Sequence, residues 1–235
     1  MPALFDIEYK TLADIGVRSS NPRAVVMDCE QGTQDWFGAR SGIMTASQAS
    51  LLITSKGEPA KSASLKTFAH GCIAEQLCGT VEMQCGSTPA MERGNEMEPR
   101  ARAWYAFDRG VDVVTTGFVF RDETKNAGAS PDGLRDDRCI EIKCPMRKGM
   151  VGNLVGIAKT GRAPSQYVAQ MQFQMWVMGL DLCDFIMWTP EPQIPDAVIT
   201  VERCDTAHRN LDELVPKFAA DVDAAVKQLT EGGAQ

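Results

Sequence analysis

Residues 126–145 constrain the fold more tightly than any other part of the chain. Pro-Asp-Gly turn chemistry at Asp132 separates two runs of strand-like composition, so the segment predicts a strand, a tight turn and a second strand. Side chains alternate between the two faces of a strand, which puts Glu141 and Lys143 on one face and the flanking isoleucines on the other. The predicted hairpin therefore brings two carboxylates and an ammonium toward one spot.

Two converging carboxylates and a lysine suit phosphodiester hydrolysis. Mg²⁺ prefers oxygen ligands and is typically held by one or two carboxylates together with substrate phosphate. A nearby ammonium orients or deprotonates the attacking water. The competing interpretation is an ordinary ion pair between Glu141 and Lys143 on a solvated strand, and so short a pattern taken alone favours that interpretation.

The chain has 235 residues, enough for one sizeable core, and no break in composition marks a second domain. We expect a single domain, residues 1–235, with a peripheral N-terminal arm or short helix at 1–30, a core at about 31–205 and a C-terminal helix at 206–235. The sequence shows neither a signal peptide nor a membrane-spanning run, so a soluble cytoplasmic protein is expected. Eight cysteines without a Cys-x-x-Cys pair favour buried thiols over structural zinc.

Charge is distributed unevenly along the chain. The net charge is −7, yet residues 135–162 hold seven Lys/Arg against three acids, and residues 201–235 hold seven acids against four bases. A local basic stripe binds phosphates even on an acidic protein, and the acidic remainder limits indiscriminate binding. Charges that solvate a loop after Pro145 explain the stripe equally well.

A second polar cluster is predicted where two short helices meet. Thr33 is placed to cap a helix that presents Trp36 and Arg40 one turn apart. A capping box at residues 45–48 starts the next helix, whose free N–H groups would form a phosphate pocket with Ser47 and Arg40. A surface arginine and a simple cap explain the same residues without any ligand.

The remaining pattern is mixed α/β, with a central sheet covered by helices. Helices are expected at 65–77, from Thr88 with a kink or break at Pro99, from Ser165 to Gly179, and from Asp205 onward with Pro216 as a candidate break. Strands are expected at 111–121, 182–188 and 197–203. A Gly/Lys/Arg-rich loop is expected at 147–162.

A row of glutamines lies on the helix that begins at Ser165. Gln166, Gln170 and Gln174 are spaced one turn apart. Such a row forms a solvated face, or turns inward to hydrogen-bond a water or a nucleotide, and the spacing alone does not decide between the two.

Five pieces of the sequence match one known family in the family's order, from about residue 31 to residue 190. They are Trp36-x-x-x-Arg40-x-Gly42-x-x-Thr45-Ala46-Ser47, Gly94-Asn95-Glu96-Met97-Glu98-Pro99-x-Ala101, Asp122 upstream of Ser130-Pro131-Asp132-Gly133-Leu134, Glu141-Ile142-Lys143-Cys144-Pro145, and Tyr167-Val168-Ala169-Gln170-Met171-Gln172-x-Gln174-Met175-Trp176. Together they resemble the viral exonuclease family typified by phage lambda exonuclease (YqaJ-type viral recombinases), within the restriction-endonuclease-like PD-(D/E)xK nuclease superfamily. The resemblance implies a restriction-endonuclease-like mixed central β-sheet flanked by helices.

The resemblance also implies roles at the predicted hairpin. Asp132 and Glu141 would bind Mg²⁺, with Mn²⁺ as a substitute, and the carbonyl of Ile142 would be a further ligand. Lys143 would position or activate the attacking water.

Three more positions match residues that complete the family's catalytic centre. They are Glu98, Asp122 and Gln170. On spacing grounds Glu123 or Asp136 could take the place of Asp122.

The substrate-binding positions follow in the same way. Arg40, Ser47 and Ser130 match residues that hold the 5′-phosphate of DNA. Met91 matches an apolar wedge that helps to split the end of the duplex, and Tyr167 belongs to the same substrate-binding set.

The expected activity is a Mg²⁺-dependent exonuclease that digests one strand of linear double-stranded DNA 5′ to 3′ into 5′-mononucleotides. By resemblance, the protein is a ring of three subunits around DNA, encoded by a phage or prophage in a bacterial host, and its partner is a single-strand annealing protein. The alternatives are a sequence-specific or nicking endonuclease on the same fold, and a catalytically inactive adaptor for DNA ends or for the annealing protein. An RNA substrate also stays open.

Overall fold

The strands form two mixed β-sheets in a computed structural model that describes residues 8–79 and 88–232. The first sheet has the strand order β1 (Tyr9–Lys10), β2 (Val25–Met27), β4 (Phe118–Phe120), β5 (Ala127–Ala129) and β3 (Met44–Thr45). Its neighbouring strands are antiparallel except β5 and β3, which run parallel.

The second sheet carries the predicted catalytic strand. Its order is β6 (Gly133–Arg135), β7 (Arg138–Lys143), β8 (Leu182–Met187) and β9 (Ala197–Glu202), with β7 and β8 parallel and the outer pairs antiparallel. Gly133 pairs with Ile140, so β6 covers only the first half of the outer edge of β7. The last residues of β7 are therefore open on that edge.

Six α-helices accompany the sheets within the described ranges. They are α1 (Gln34–Arg40), α2 (Ser64–Cys78), α3 (Pro89–Arg109), α4 (Arg147–Thr160), α5 (Ser165–Met178) and α6 (Asp205–Glu231). The predicted N-cap of α1 is confirmed, because the Thr33 side chain accepts the Trp36 N–H at 3.4 Å. Helix α3 begins at Pro89, as the start predicted at Thr88 requires, and the Thr88 side chain caps it by accepting the Met91 N–H at 3.2 Å. Both α3 and α6 continue without interruption through their prolines.

Two helices cover opposite faces of the second sheet. Helix α3 packs Met97 and Ala101 on the face that carries Ile140 and Ile142. Helix α5 packs on the other face, where its residues 171–178 are all buried. Because side chains alternate along β7, Ile140 and Ile142 face α3, and Glu141 and Lys143 lie on the face covered by α5.

The mixed α/β class is confirmed, but the predicted hairpin is wrong in its connectivity. The Pro-Asp-Gly segment does not return the chain beside β5; it carries the chain from the first sheet into the second. The hairpin that pairs is β6–β7, and its turn is at Asp136, whose φ is 38°. Aspartate tolerates this left-handed conformation, so the Asp136–Asp137 pair was a second turn signal.

The predicted loop at 147–162 is also wrong, because most of it is helix α4. Its glycines and basic residues suggested a loop, but Met150, Leu154 and Ile157 recur at helical spacing and pack against the core. Burial of this apolar stripe outweighs the low helix propensity of glycine.

The capping box at residues 45–48 does not form. Thr45 belongs to β3 and pairs with Gly128, and its hydroxyl lies 3.1 Å from the Ser47 hydroxyl instead of capping a helix. The segment that follows is a six-residue 3₁₀ helix, Ala46–Leu51. The predicted strand at 111–121 is likewise short, with only β4 and an isolated bridge from Val114 to Leu134.

The N-terminal segment is not a peripheral arm, and the helix predicted there is in its described part a three-residue 3₁₀ helix, Ala13–Ile15. Its described part, residues 8–30, adds β1 and β2 to the first sheet and buries Leu12, Val17 and Val26. Strands of two or three residues are too short to produce a recognisable alternation. Residues 1–7, and the loop expected before Ser87, lie outside the described ranges.

The prediction of buried thiols holds for four cysteines: Cys72, Cys139, Cys144 and Cys183 are buried free thiols. Cys29 and Cys204 are partly exposed and Cys78 is exposed, and Cys85 lies outside the described residues. No described helix is long and apolar enough to cross a membrane.

A buried ion-pair network links the strands of the second sheet near the start of β7, away from the open residues at its end. Asp184 of β8 is 3% exposed; its carboxylate accepts the Thr200 hydroxyl at 2.7 Å and lies 3.4 Å and 3.6 Å from the guanidinium groups of Arg138 and Arg135. The Tyr105 hydroxyl of α3 also donates to it. One carboxylate thus links β6, β7, β8, β9 and α3.

Replacing Asp184 should destabilise the fold strongly. Asp184→Ala removes the carboxylate that pairs with the largely buried Arg135 and leaves Arg138 with only the more exposed Asp137, a loss of about 3–5 kcal/mol in the free energy of unfolding. Urea denaturation measures it. The matched control is Asp181→Ala, which removes an exposed carboxylate that pairs with Arg203 at the surface and should change stability by less than about 0.5 kcal/mol. Equal effects of the two substitutions would contradict the structural role of Asp184.

Candidate active site

Asp132 lies where the chain crosses between the sheets, beside the open edge of β7. Its N–H donates to the Ile140 carbonyl at 3.1 Å, and its carboxylate accepts the Ile142 N–H at 2.6 Å. The side chain of Asp132 therefore takes the place that a longer β6 would fill. This bond fixes the carboxylate against β7.

Glu141 and Lys143 share the face of β7 that α5 covers, as the alternation predicted. The Glu141 carboxylate is fully buried, and its Oε1 contacts the Lys143 ammonium. That contact is close but lacks hydrogen-bond geometry, so Oε1 has no directed partner within the described structure. The second oxygen, Oε2, accepts a hydrogen bond from Gln174 Nε2 at 2.6 Å.

Helix α3 supplies a third acid through Arg102. The Arg102 guanidinium pairs with Glu98 one turn earlier, and its Nε donates to the Asp132 carbonyl at 2.5 Å. Glu98 is thereby held close enough to Asp132, Glu141 and Lys143 for their charges to act on one another.

Electrostatics set these groups apart from ordinary surface acids. Burial raises the pKa of Asp132 well above its usual value and the Glu141 carboxylate raises it further, while Lys143 offsets part of the change. Burial likewise raises the pKa of Glu98, against the opposing effect of Arg102. Burial alone would lower the pKa of Lys143, but Glu141 and Asp132 outweigh it and the pKa is raised, so the ammonium form is retained.

The donor set suits a hard divalent cation. The described residues contain no cluster of three or more His, Cys, Asp and Glu side chains able to hold a metal ion. The Asp132 and Glu141 carboxylates nevertheless lie close enough for Glu141 to raise the pKa of Asp132. The Ile142 carbonyl faces the same side of β7 as the Ile142 N–H that Asp132 binds, beyond the end of β6. Two carboxylates with a backbone carbonyl, completed by water and phosphate, match the preference of Mg²⁺. The undirected Glu141 Oε1 fits the same assignment.

A second cluster joins α1, the 3₁₀ helix and the end of β5. The Arg40 guanidinium stacks on the Trp36 ring, 4.2 Å from its centroid, and Nη2 donates to Ser47 Oγ at 3.3 Å. Trp36 Nε1 donates to Ser130 Oγ at 2.8 Å. The three residues that the resemblance assigns to phosphate binding therefore lie together, and Trp36 connects them.

Arg40 is suited to an external anion. Burial lowers its pKa, and the ion pairs of the described residues give it no carboxylate partner. Ser130 precedes Asp132 by two residues, a span of at most about 7 Å. The arginine cluster and the carboxylate cluster are therefore neighbours along one extended segment.

The other predicted site residues divide into two groups. Tyr167 stacks on Phe185 with ring centroids 5.3 Å apart, and the Lys143 ammonium lies 5.5 Å from its ring. Gln170 is half-buried on the same face of α5, one turn before Gln174. These residues border the carboxylate cluster.

Met91 and Asp122 lie elsewhere. Met91 is 58% exposed on the first turn of α3, at the surface as a wedge requires. Asp122 sits in the turn between β4 and β5, where its carboxylate accepts the Thr124 N–H at 2.9 Å. Ser130 and Asp132 follow the opposite end of β5, so the structure does not bring Asp122 to the other acids, and Glu98 is the third acid of the cluster.

Two contacts in the site do not follow from the sequence. The i,i+4 spacing of Glu98 and Arg102 indicates an ordinary helical ion pair, yet Arg102 also binds the backbone of Asp132. Gln166, Gln170 and Gln174 follow one another at one-turn spacing on α5, but of these three only Gln174 binds Glu141. The helical spacing of both residues was visible in the sequence, but the strand they reach was not.

Solved structures with the same fold are nucleases. An alkaline exonuclease, LHK-Exo, from Laribacter hongkongensis matches with a TM-score of 0.74 and 33% identity over 86% of this chain and 98% of that chain, and its complex with dAMP matches equally well. A phage-related exonuclease from Haemophilus somnus 129PT matches with a TM-score of 0.58 and 17% identity over 80% of this chain and 96% of that chain, which supports the fold alone. The fold is thus that of the alkaline exonucleases.

The family follows from the sequence match. The YqaJ-like viral recombinase domain matches residues 35–181, more than half of the chain, so the chain belongs to this family. This confirms the resemblance found in the sequence. Uncharacterized protein R354 of Acanthamoeba polyphaga mimivirus is 25% identical over 169 residues, which are 67% of this chain but 29% of that protein. The chain thus spans less than a third of that viral relative.

Removing the charge of Asp132 should stabilise the metal-free protein. Because burial and Glu141 raise its pKa, the ionised carboxylate destabilises the fold above that pKa, and the effect disappears as the pH falls toward the ordinary aspartate value. Asp132→Asn, which keeps an acceptor for the Ile142 N–H, should therefore gain about 1 kcal/mol, or roughly 2–4 °C in Tm, at pH 8 in EDTA.

Thermal unfolding with and without Mg²⁺ checks this expectation. Mg²⁺ should raise the Tm of the unmodified protein and leave the variant unchanged, because only the former retains both carboxylates. A variant that is less stable than the unmodified protein in EDTA at pH 8 would contradict the electrostatic account.

Proposed function

We propose that this protein is a Mg²⁺-dependent exonuclease that degrades one strand of linear double-stranded DNA from its 5′ end. The observation that carries the proposal is the adjacency of two clusters. Asp132, Glu141 and Lys143 form an acid-and-ammonium site. Arg40 and Ser130, joined through Trp36, form an anion site, and Ser130 lies two residues before Asp132 in the chain.

Each group has a defined task in this proposal. Asp132, Glu141 and the Ile142 carbonyl hold the cation at the open edge of β7. When bound, Mg²⁺ supplies positive charge against the scissile phosphate and makes water more acidic. Lys143 is held as an ammonium and orients water or phosphate by donating from Nζ. Arg102 fixes Glu98 and the Asp132 backbone relative to each other.

The anion site explains why an end is required. Arg40, Ser47 and Ser130 would hold a terminal 5′-phosphate, and the short segment from Ser130 to Asp132 sets the distance to the next phosphate. A terminal phosphate held this close to the carboxylates would place the first internucleotide phosphate at the metal site, and each cut would then release a 5′-mononucleotide. The Laribacter exonuclease has been solved with dAMP, a deoxynucleoside monophosphate, which supports this product.

The proposal extends to assembly. By resemblance, three subunits form a ring around DNA, and a single-strand annealing protein receives the exposed 3′ strand. An acidic outer surface with a basic inner channel would reconcile a net charge of −7 with DNA binding. Light scattering of the purified protein, with and without duplex, measures the number of subunits.

The activity is tested on linear and circular DNA. With Mg²⁺ the protein should degrade linear 5′-phosphorylated duplex, leave covalently closed circles intact and stop when EDTA is added. Asp132→Ala and Lys143→Ala should each reduce the rate by at least about 10²-fold while the far-UV spectrum is unchanged. Cutting of closed circles would point instead to an endonuclease, and intact linear duplex would point to an adaptor.

The anion site has its own test. Arg40→Ala should remove the preference for 5′-phosphorylated over 5′-hydroxyl ends, because the guanidinium supplies a charge-assisted contact worth about 1.5–3 kcal/mol, or roughly 10–10²-fold in rate. Arg109→Ala, at the last turn of α3, is the control and should keep the preference. An equal loss on both kinds of end with Arg40→Ala would count against a phosphate pocket.

A further inference from the structure

Gln174 approaches the Glu141 carboxylate from α5, on the side away from Lys143. Its Nε2 donates to Glu141 Oε2, and both side chains are completely shielded from solvent. The glutamine expected in the catalytic set was Gln170, one turn earlier. The contact with Glu141 belongs to Gln174.

The two oxygens of Glu141 have different surroundings. Oε2 is taken by the Gln174 amide, whereas Oε1 meets only the Lys143 ammonium and has no directed hydrogen bond within the described structure. A carboxylate bound firmly at one oxygen cannot rotate freely. The bond from Gln174 therefore decides which oxygen is left for a cation.

The Gln174 side chain is itself fixed. It lies in the stretch of α5 in which residues 171–178 are all buried, and the Cys183 thiol contacts its Oε1 at 4.0 Å. The oxygen end of the amide faces Cys183 and the nitrogen end faces Glu141. The reverse orientation would set a carbonyl oxygen against a carboxylate, so the network selects one orientation.

A neutral donor is the kind of group that this position requires. A buried carboxylate needs hydrogen bonds to offset its loss of hydration, and Lys143 already supplies one positive charge. A second cation at Oε2 would compete with a metal ion for Glu141. An amide satisfies Oε2 without adding charge.

We propose that Gln174 is a positioning residue for the metal site, which orients Glu141 so that Oε1 faces the cation. This inference rests on the proposed function. The alternative is that Gln174 is only a satisfied polar group of the core, in which case its loss would change stability and not metal affinity.

The test is Mn²⁺ binding to the DNA-free protein, followed by the electron paramagnetic resonance signal of free Mn²⁺. Gln174→Met keeps the approximate shape and removes the donor, and should weaken Mn²⁺ binding by about 10–100-fold, as the loss of an outer hydrogen bond to a metal ligand typically does. Gln174→Asn keeps an amide too short to reach Glu141 and should show a similar loss, which provides a second variant if the first folds poorly. In nuclease assays, the Mg²⁺ concentration for half-maximal rate should rise in parallel, and excess Mg²⁺ should restore most of the turnover.

Gln172→Met is the matched control. Gln172 is equally buried on the same helix, but its amide bonds the Glu202 carbonyl and the Cys204 N–H, each at 2.8 Å, where β9 meets α6. Its loss should lower the Tm and leave the Mn²⁺ affinity of the folded protein unchanged.

The outcomes separate the two proposals. If the unmodified protein binds Mn²⁺ and degrades linear duplex while Gln174→Met binds Mn²⁺ equally well, the positioning role is wrong and the proposed function stands. Equal losses of affinity in Gln174→Met and Gln172→Met would also overturn it, because the effect would then be one of general stability. If the unmodified protein neither binds Mn²⁺ nor degrades DNA, the proposed function fails and the inference fails with it.

Discussion

The structure depends on holding the carboxylates of Asp132 and Glu141 close enough for their charges to interact, with Glu141 fully buried and Asp132 partly exposed at the open edge of β7. Like charges in a poorly hydrated place destabilise a fold unless other groups compensate for them. Here the compensation is specific: the Ile142 N–H binds one carboxylate, and Gln174 with Lys143 contacts the other. A cation bound between the two carboxylates would relieve this repulsion.

The open edge of β7 is what allows these groups to meet. Because β6 begins only at Gly133, the last residues of β7 have no neighbouring strand on that side. Asp132 enters the gap from the crossing between the sheets, Glu98 reaches it from α3 and Gln174 from α5. Elements on opposite faces of a complete sheet would be separated by the sheet itself. At an unpaired edge, side chains from both faces reach the same point.

Local signals in the sequence predicted some features correctly. Alternation placed Glu141 and Lys143 on one face, and the Thr33 cap of α1, the α/β class and the family are all confirmed. Other predictions failed where the decisive contact was distant. The glycines of α4 predict a loop because they act locally, whereas the core that buries Met150 is not visible in the sequence. The turn at Asp132 predicts a hairpin because a turn sequence does not specify which sheet the next strand joins.

The sequence by itself therefore determined the residue types of the site, their periodicity on each element and the family to which the chain belongs, since these are properties of neighbours along the chain. Tertiary structure alone decided that Glu98 and not Asp122 joins Asp132, that Gln174 and not Gln166 reaches Glu141, and that Trp36 links Arg40 to Ser130. Those choices depend on the register of strands and the faces of helices that lie far apart in the sequence. They are settled only when the elements pack and each buried polar atom takes the partner within its reach.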